Sequence, residues 1–158
     1  MKDKKKQEFI LKISQANRTQ MLVIIYDILL EYLEEATKAE HEKQKDQFKS
    51  AIINARNCVN ELIDSLNVEY ELANGLLQIY LYLNRELARA YAKKSQEPII
   101  IIQKLVMKLK MAYVEAAKTD HSSSVMGNTQ SVYAGLTYGK GVLNESMENP
   151  IENRGFRV

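Results

Sequence analysis

The sequence predicts an all-α protein: an antiparallel four-helix bundle with a short N-terminal arm or helix and a Gly/Ser/Asn-rich C-terminal tail. Three observations carry this. Apolar residues recur at steps of three and four in four segments between about residues 17 and 118. Short polar or proline-bearing stretches divide those segments, as an up-and-down bundle requires. Five of the six glycines lie beyond residue 126, and glycine costs a helix about 1 kcal/mol relative to alanine, so the helical pattern stops before them. The expected division is residues 1–16 as the arm, 17–118 as the bundle and 119–158 as the tail.

Residues 1–16 are basic at first, then apolar in patches at Phe9, Ile10 and Ile13, and fit a short helix or a loose arm. Asn17 is a good N-cap, and Gln20 three residues later completes a capping-box pattern. The helix it opens should run from about Arg18 to about Glu42 and end in the charged stretch 40–46. This helix has two apolar stripes. One is Leu22, Tyr26, Leu29, Leu33 and Ala36; the other is Met21, Ile25, Ile28 and Tyr32. One stripe is enough for a bundle helix to face its core. Two stripes leave two readings open: this is the central helix of its own fold, or part of its surface is kept for another molecule.

The next helix carries Phe48, Ile52, Ala55, Val59, Leu62 and Leu66, a seam of alternating fours and threes, and should end near Asn67. A third runs from about Glu69 to about Lys94, with Leu72, Leu76, Ile79, Leu83, Leu87 and Ala90 on its seam and Leu77, Tyr80, Leu81, Tyr82 and Tyr91 off it. Pro98 opens the fourth, since proline lacks the N–H that a helix start leaves unpaired. Its expected seam is Ile102, Leu105, Leu109, Ala112 and Ala116, with Tyr113 beside it and Lys104, Lys108 and Lys110 outside.

At 158 residues, 46% apolar and 27% charged, the chain is long enough for one domain with a real core. Its 22 basic and 20 acidic residues are interspersed, unlike the clustered basic face that binds nucleic acid. Cys58 is the single cysteine, which rules out a disulfide within the chain and fits a reducing compartment. The apolar run Phe9-Ile10-Leu11 is too short for a signal peptide, and Asp27 and Glu31 interrupt the best candidate for a membrane span. These features predict a cytoplasmic protein with no nucleic-acid partner and no membrane insertion.

Catalytic and metal-binding patterns are missing. His41 and His121 are each preceded three residues earlier by lysine, not by the glutamate of a bundle metal site, and both fall in expected exposed turns. Cys58 reads as a small buried hydrophobe with no histidine placed to serve it. No glycine-rich phosphate loop is present. The expectation is no enzyme, no cofactor and no metal. Asp27 is the one acid within a strongly apolar window. It reads as an exposed gap between the two stripes or as a polar anchor for a partner.

What remains is apolar surface. The first and third helices carry more than one seam requires, with Tyr26, Tyr32, Tyr80 and Tyr82 among it. Tyrosine suits a half-wet setting, because its ring packs while its hydroxyl reaches a partner. The surplus is either core in a tight bundle or a groove for a partner's amphipathic helix.

Leu22-Val23-Ile24-Ile25-Tyr26-Asp27 resembles the Leu-Val-x-x-Leu-Tyr-Asp signature of the FliS family of flagellar export chaperones. Further pieces follow in the family's order: Ala51 to Leu66 with Glu61-Leu62 and Ser65-Leu66, then Leu76 to Tyr82, similar to Leu-x-x-Leu-Tyr-x-Tyr, then Arg85, Leu87 and Ala90. The likeness spans roughly residues 10–118. Asn17-Arg18-Thr19 stands where the family has Ser-Pro, Tyr113 where it often has tryptophan, and the tail is longer than in the simplest members. The resemblance implies a cytoplasmic bundle that binds the C-terminal segment of flagellin, prevents its early assembly and presents it to the export machinery. The expected groove joins Leu22, Ile25, Tyr26 and Leu29 on the first helix to Leu76, Ile79, Tyr80 and Leu83 on the third. The alternative is a non-enzymatic bundle that self-associates. In the tail, Val125, Val132, Leu136, Leu143 and Met147 form an interrupted helix-like stripe. It reads either as a segment ordered by crystal packing, or as one lying over the bundle's own apolar surface, or a neighbour's, as a weak internal competitor for flagellin.

Overall fold

The computed structural model describes residues 1–125 together with Leu136. Among the described residues the chain forms five helices and no strand: α1 (Asp3–Gln15), α2 (Arg18–His41), α3 (Lys45–Asp64), α4 (Glu71–Lys93) and α5 (Glu97–Ala117). Helices α2 to α5 are the predicted bundle. Around it, α2 packs on α3, α3 on α4, α4 on α5, and α5 closes back onto α2.

Helix α2 starts where its capping residues dictate. The Asn17 side chain accepts the Gln20 N–H at 2.9 Å, and the Gln20 side chain accepts the Asn17 N–H at 3.0 Å. Two donors that the first helical turn leaves without partners are thereby satisfied, a device worth about 1 kcal/mol. The two apolar stripes of α2 have a plain explanation. Both are buried or half-buried, because α2 is covered on three sides, by α3, by α5 and by α1.

Helix α1 is a full helix and lies antiparallel along the outside of α2. Phe9 and Ile13 are buried against the core, and Lys5 donates to both carboxylate oxygens of Glu31 at 2.7 Å. The Met1 amine pairs with Glu35 further along α2. The Lys5–Glu31 pair is partly exposed, where such contacts add little, so the segment is held mainly by Phe9 and Ile13, with the Met1 side chain also packed against the core.

Helix α3 buries its predicted seam from Phe48 to Leu62, with Leu66 half-buried beyond it and Cys58 fully enclosed. The seams of α4 and α5 depart from expectation by a small rotation. On α4 the buried line is Ala73, Tyr80, Leu83, Leu87 and Ala90, while Leu72 stands in solvent. Tyr80 takes the inward place expected for Ile79 because its ring reaches across the bundle to α2. On α5 the buried line is Ile99, Ile102 and Val106, continued by half-buried Leu109 and Tyr113, while Ala112 and Ala116 are exposed. A run of four isoleucines, Ile99–Ile102, offers several stripes of equal spacing, and one residue turns a helix by about 100°. Packing between α2 and α4 selects the stripe with Ile99 and Val106.

Two acids are also placed by the fold. Asp27 faces α5 and pairs with Lys110 at 2.5 Å. Glu86, which the sequence did not mark as buried, is only 7% exposed at the edge of the α4 seam, with Arg89 at 3.5 Å. Of the tail stripe, Val125 is exposed and Leu136 is fully buried in the core, while Val132, Leu143 and Met147 lie outside the described residues.

Candidate partner-binding groove

At one end of the bundle α2 and α4 begin and α3 and α5 finish. Arg18, in the first turn of α2, donates to the Ser65 carbonyl at 3.1 Å and ties that end together. Between these helix ends opens an apolar groove of ≈ 320 Å³. Leu22 of α2, Leu66 after α3, Leu72 and Leu76 of α4, and the rings of Tyr80 and Tyr113 line it. Tyr70 and Leu72 at its lip are 67% and 72% exposed, and Val68 beside them is also open to water. Large apolar side chains on a connecting segment have no packing reason to be there, and a contiguous exposed group of them marks an interaction surface.

The floor of the groove is a tyrosine cluster. The Tyr26 and Tyr80 hydroxyls meet at 2.5 Å, and the Tyr113 ring lies 5.7 Å from that of Tyr26, tilted by 34°. Burial pushes all three hydroxyls up; Tyr80 rises to about 12, and Tyr26 goes further still. All three therefore stay neutral at any physiological pH. They act as hydrogen-bonding groups inside apolar walls, a setting for recognition by shape and a few polar contacts.

The sequence-predicted residues divide between wall and support. Leu22, Leu76 and Tyr80 line the groove. Ile79 is half-buried on α4. Ile25, Tyr26, Leu29 and Leu83 are buried in the core beneath. Sequence reasoning missed Leu66, Tyr70, Leu72 and Tyr113 as lining residues. The available signal was Val68 and Tyr70, two apolar side chains in a short connection that needed none.

Burial likewise pushes up the Cys58 thiol, an unreactive setting for a nucleophile. Among the described residues, no group of histidine, cysteine, aspartate or glutamate could hold a metal ion. No helix among them is long and apolar enough to cross a membrane.

A sequence profile described as flagellar protein FliS matches residues 1–120. The chain belongs to the FliS family of flagellar export chaperones. No curated protein matches it. The FliS match takes in all five helices and stops at Asp120, so the tail lies beyond it. In this FliS protein the two tyrosine-bearing motifs, on α2 and α4, meet through the Tyr26–Tyr80 hydroxyl pair.

Proposed function

We propose that this FliS protein binds the C-terminal segment of flagellin in the groove between α2, α4 and α5. There it keeps the segment from assembling early in the cytoplasm and hands it to the export machinery. The observation that carries this reading is the groove itself, an unfilled apolar channel at the junction of the two family-like motifs. Leu22, Leu76 and Tyr80 contact the segment, with Ile79 beside them, while Ile25, Tyr26, Leu29 and Leu83 hold the wall in shape. Tyr70 and Leu72 close over it. An apolar channel edged by tyrosines suits an amphipathic helix that offers anchors at helical spacing.

Calorimetry with a synthetic flagellin C-terminal peptide tests this. Leu76→Ala truncates a half-buried wall residue, and Leu72→Glu puts a charge on the lip; neither residue is in the deep core. Truncating a central anchor costs about 2 kcal/mol, roughly thirtyfold in affinity. The expected result is weaker binding of that order, with melting unchanged for Leu72→Glu and somewhat lowered, the fold retained, for Leu76→Ala. If the parent ignores the peptide, the partner is wrong. If the parent binds it and both variants bind equally well, the groove is misplaced. Self-association, the second reading, predicts a concentration-dependent size without peptide.

A further inference from the structure

Helix α5 has a second stripe, on the side away from the core. Ile100, Met107, Met111 and Val114 are all exposed, Met111 at 66%. With Lys104 they run 100, 104, 107, 111, 114, steps of four, three, four and three. That is the spacing of a packed bundle seam, yet no described element covers it. A groove of ≈ 610 Å³ runs beside it between α5 and α2, lined by Leu30, Glu34, Gln103, Lys104, Met107 and Lys108. From Pro98 to Val114 α5 has lysines at 104, 108 and 110 and no acid. Lys110 is committed to Asp27, whereas Lys104 and Lys108 have no acidic partner among the described residues. A face apolar along its middle and positive along its flank fits a segment that is apolar along one line and acidic beside it.

The chain itself carries such a segment. Residues 142–153, Val-Leu-Asn-Glu-Ser-Met-Glu-Asn-Pro-Ile-Glu-Asn, hold three acids and no base, with Leu143, Met147 and Ile151 four apart. After α5 the chain turns back onto the bundle. Thr19 donates to the Asp120 carboxylate at 2.5 Å, the Asn17 side chain to the Asp120 carbonyl at 3.0 Å, and Val125 N–H to the Ala16 carbonyl at 3.2 Å. Leu136 is fully buried in the core. With Leu136 held in the core, the seven residues from it to Leu143 reach at most roughly 25 Å, enough to cross a helix about 10 Å wide and bring the segment out to the bundle surface.

We propose that the outer face of α5 is the docking surface for residues 142–153 of the same chain. Leu143, Met147 and Ile151 lie against the Met107–Met111 stripe, and Glu145, Glu148 and Glu152 face Lys104 and Lys108. The segment lies beyond the residues that match the FliS profile. The groove beside this face shares no lining residue with the groove proposed for flagellin.

The test uses the full chain and peroxide, with the oxidation rates of Met107 and Met111 read separately by mass spectrometry. Three variants are compared with the parent: Glu145→Lys/Glu148→Lys/Glu152→Lys, Lys104→Glu/Lys108→Glu, and all five changes together. Each single-side reversal should speed oxidation of Met107 and Met111 by roughly fivefold, the gain if the face is covered about four-fifths of the time. The five-change chain, with both signs exchanged, should return toward the parent rate. Equal rates in all four proteins overturn the proposal, as does a swap that fails to restore protection. Protection that grows with protein concentration also overturns it, because a second copy would then be the cover.

Discussion

The hydroxyl of Tyr26 on α2 lies 2.5 Å from that of Tyr80 on α4, across the diagonal of the bundle and out of reach of water. The helices that carry them are not neighbours around the bundle, so this contact fixes their separation from within. Removing the Tyr80 hydroxyl takes a buried partner from both Tyr26 and Tyr113, whereas removing that of Tyr26 leaves Tyr80 its bond with Tyr113; a lost buried partner costs about 1–3 kcal/mol. Tyr26→Phe and Tyr80→Phe should each lower the urea midpoint by that order. The double substitution should cost less than the sum, because the Tyr26–Tyr80 bond is counted in both single changes and lost only once. Strict additivity in a double-mutant cycle would show that the two hydroxyls do not depend on each other.

Asp120 gives the protein an acid sensitivity. Hydrogen bonds from the Ser122 hydroxyl, then from Thr19 and from the Ser122 N–H, hold its carboxyl well below the usual carboxylate range. A carboxyl depressed in the folded state stabilises above its unfolded value of about 3.9, and that contribution fades as pH falls through the folded value. Asp120→Asn should therefore be less stable than the parent near neutrality, and the gap should narrow as pH drops below about 4. Denaturant midpoints of both proteins at neutral and strongly acid pH decide it; a gap that stays constant rules the linkage out.

Lys43 and Lys94 sit in the left-handed region, at φ 59° and 53°, just past the ends of α2 and α4. A side chain there crowds the backbone, and glycine is the residue that helices commonly place at that position. Lys43→Gly and Lys94→Gly should each stabilise by about 0.5–1 kcal/mol, after allowing for glycine's freedom in the unfolded chain. In a chain of this size that is roughly 1–4 °C in melting temperature. A fall in melting temperature for both would contradict the reading.

Much of the fold was legible because its signals are local. The Asn17–Gln20 capping box, the α3 seam and the charged stretch around Lys43 are each decided within a few residues, and each lies where the sequence places it. The faces of α4 and α5 were less legible. Where Ile99 to Ile102 are all apolar, periodicity offers several equivalent stripes, and only the neighbouring helices choose one. The surplus on α2 shows the same limit from the other side: Tyr26 and Leu29 are apolar because three helices cover them, and a sequence does not say how many neighbours a helix has. The groove was legible in part. Leu22, Leu76 and Tyr80 come from motifs within single helices, whereas Leu66, Tyr70 and Tyr113 join them only because the ends of α3, α4 and α5 meet.

The way α2 is enclosed has a consequence during synthesis. Its partner α5 is the most distant in sequence of the helices that cover it, about 76 residues further on from His41 to Ala117. At roughly 5–20 residues per second, translation needs some 4–15 s to deliver that cover. For this interval the newborn chain displays the run Leu22–Leu30, interrupted only by Asp27, with at most two of its three neighbours in place. A flagellar export chaperone is thus, for several seconds of its own life at the ribosome, a protein with an uncovered apolar helix.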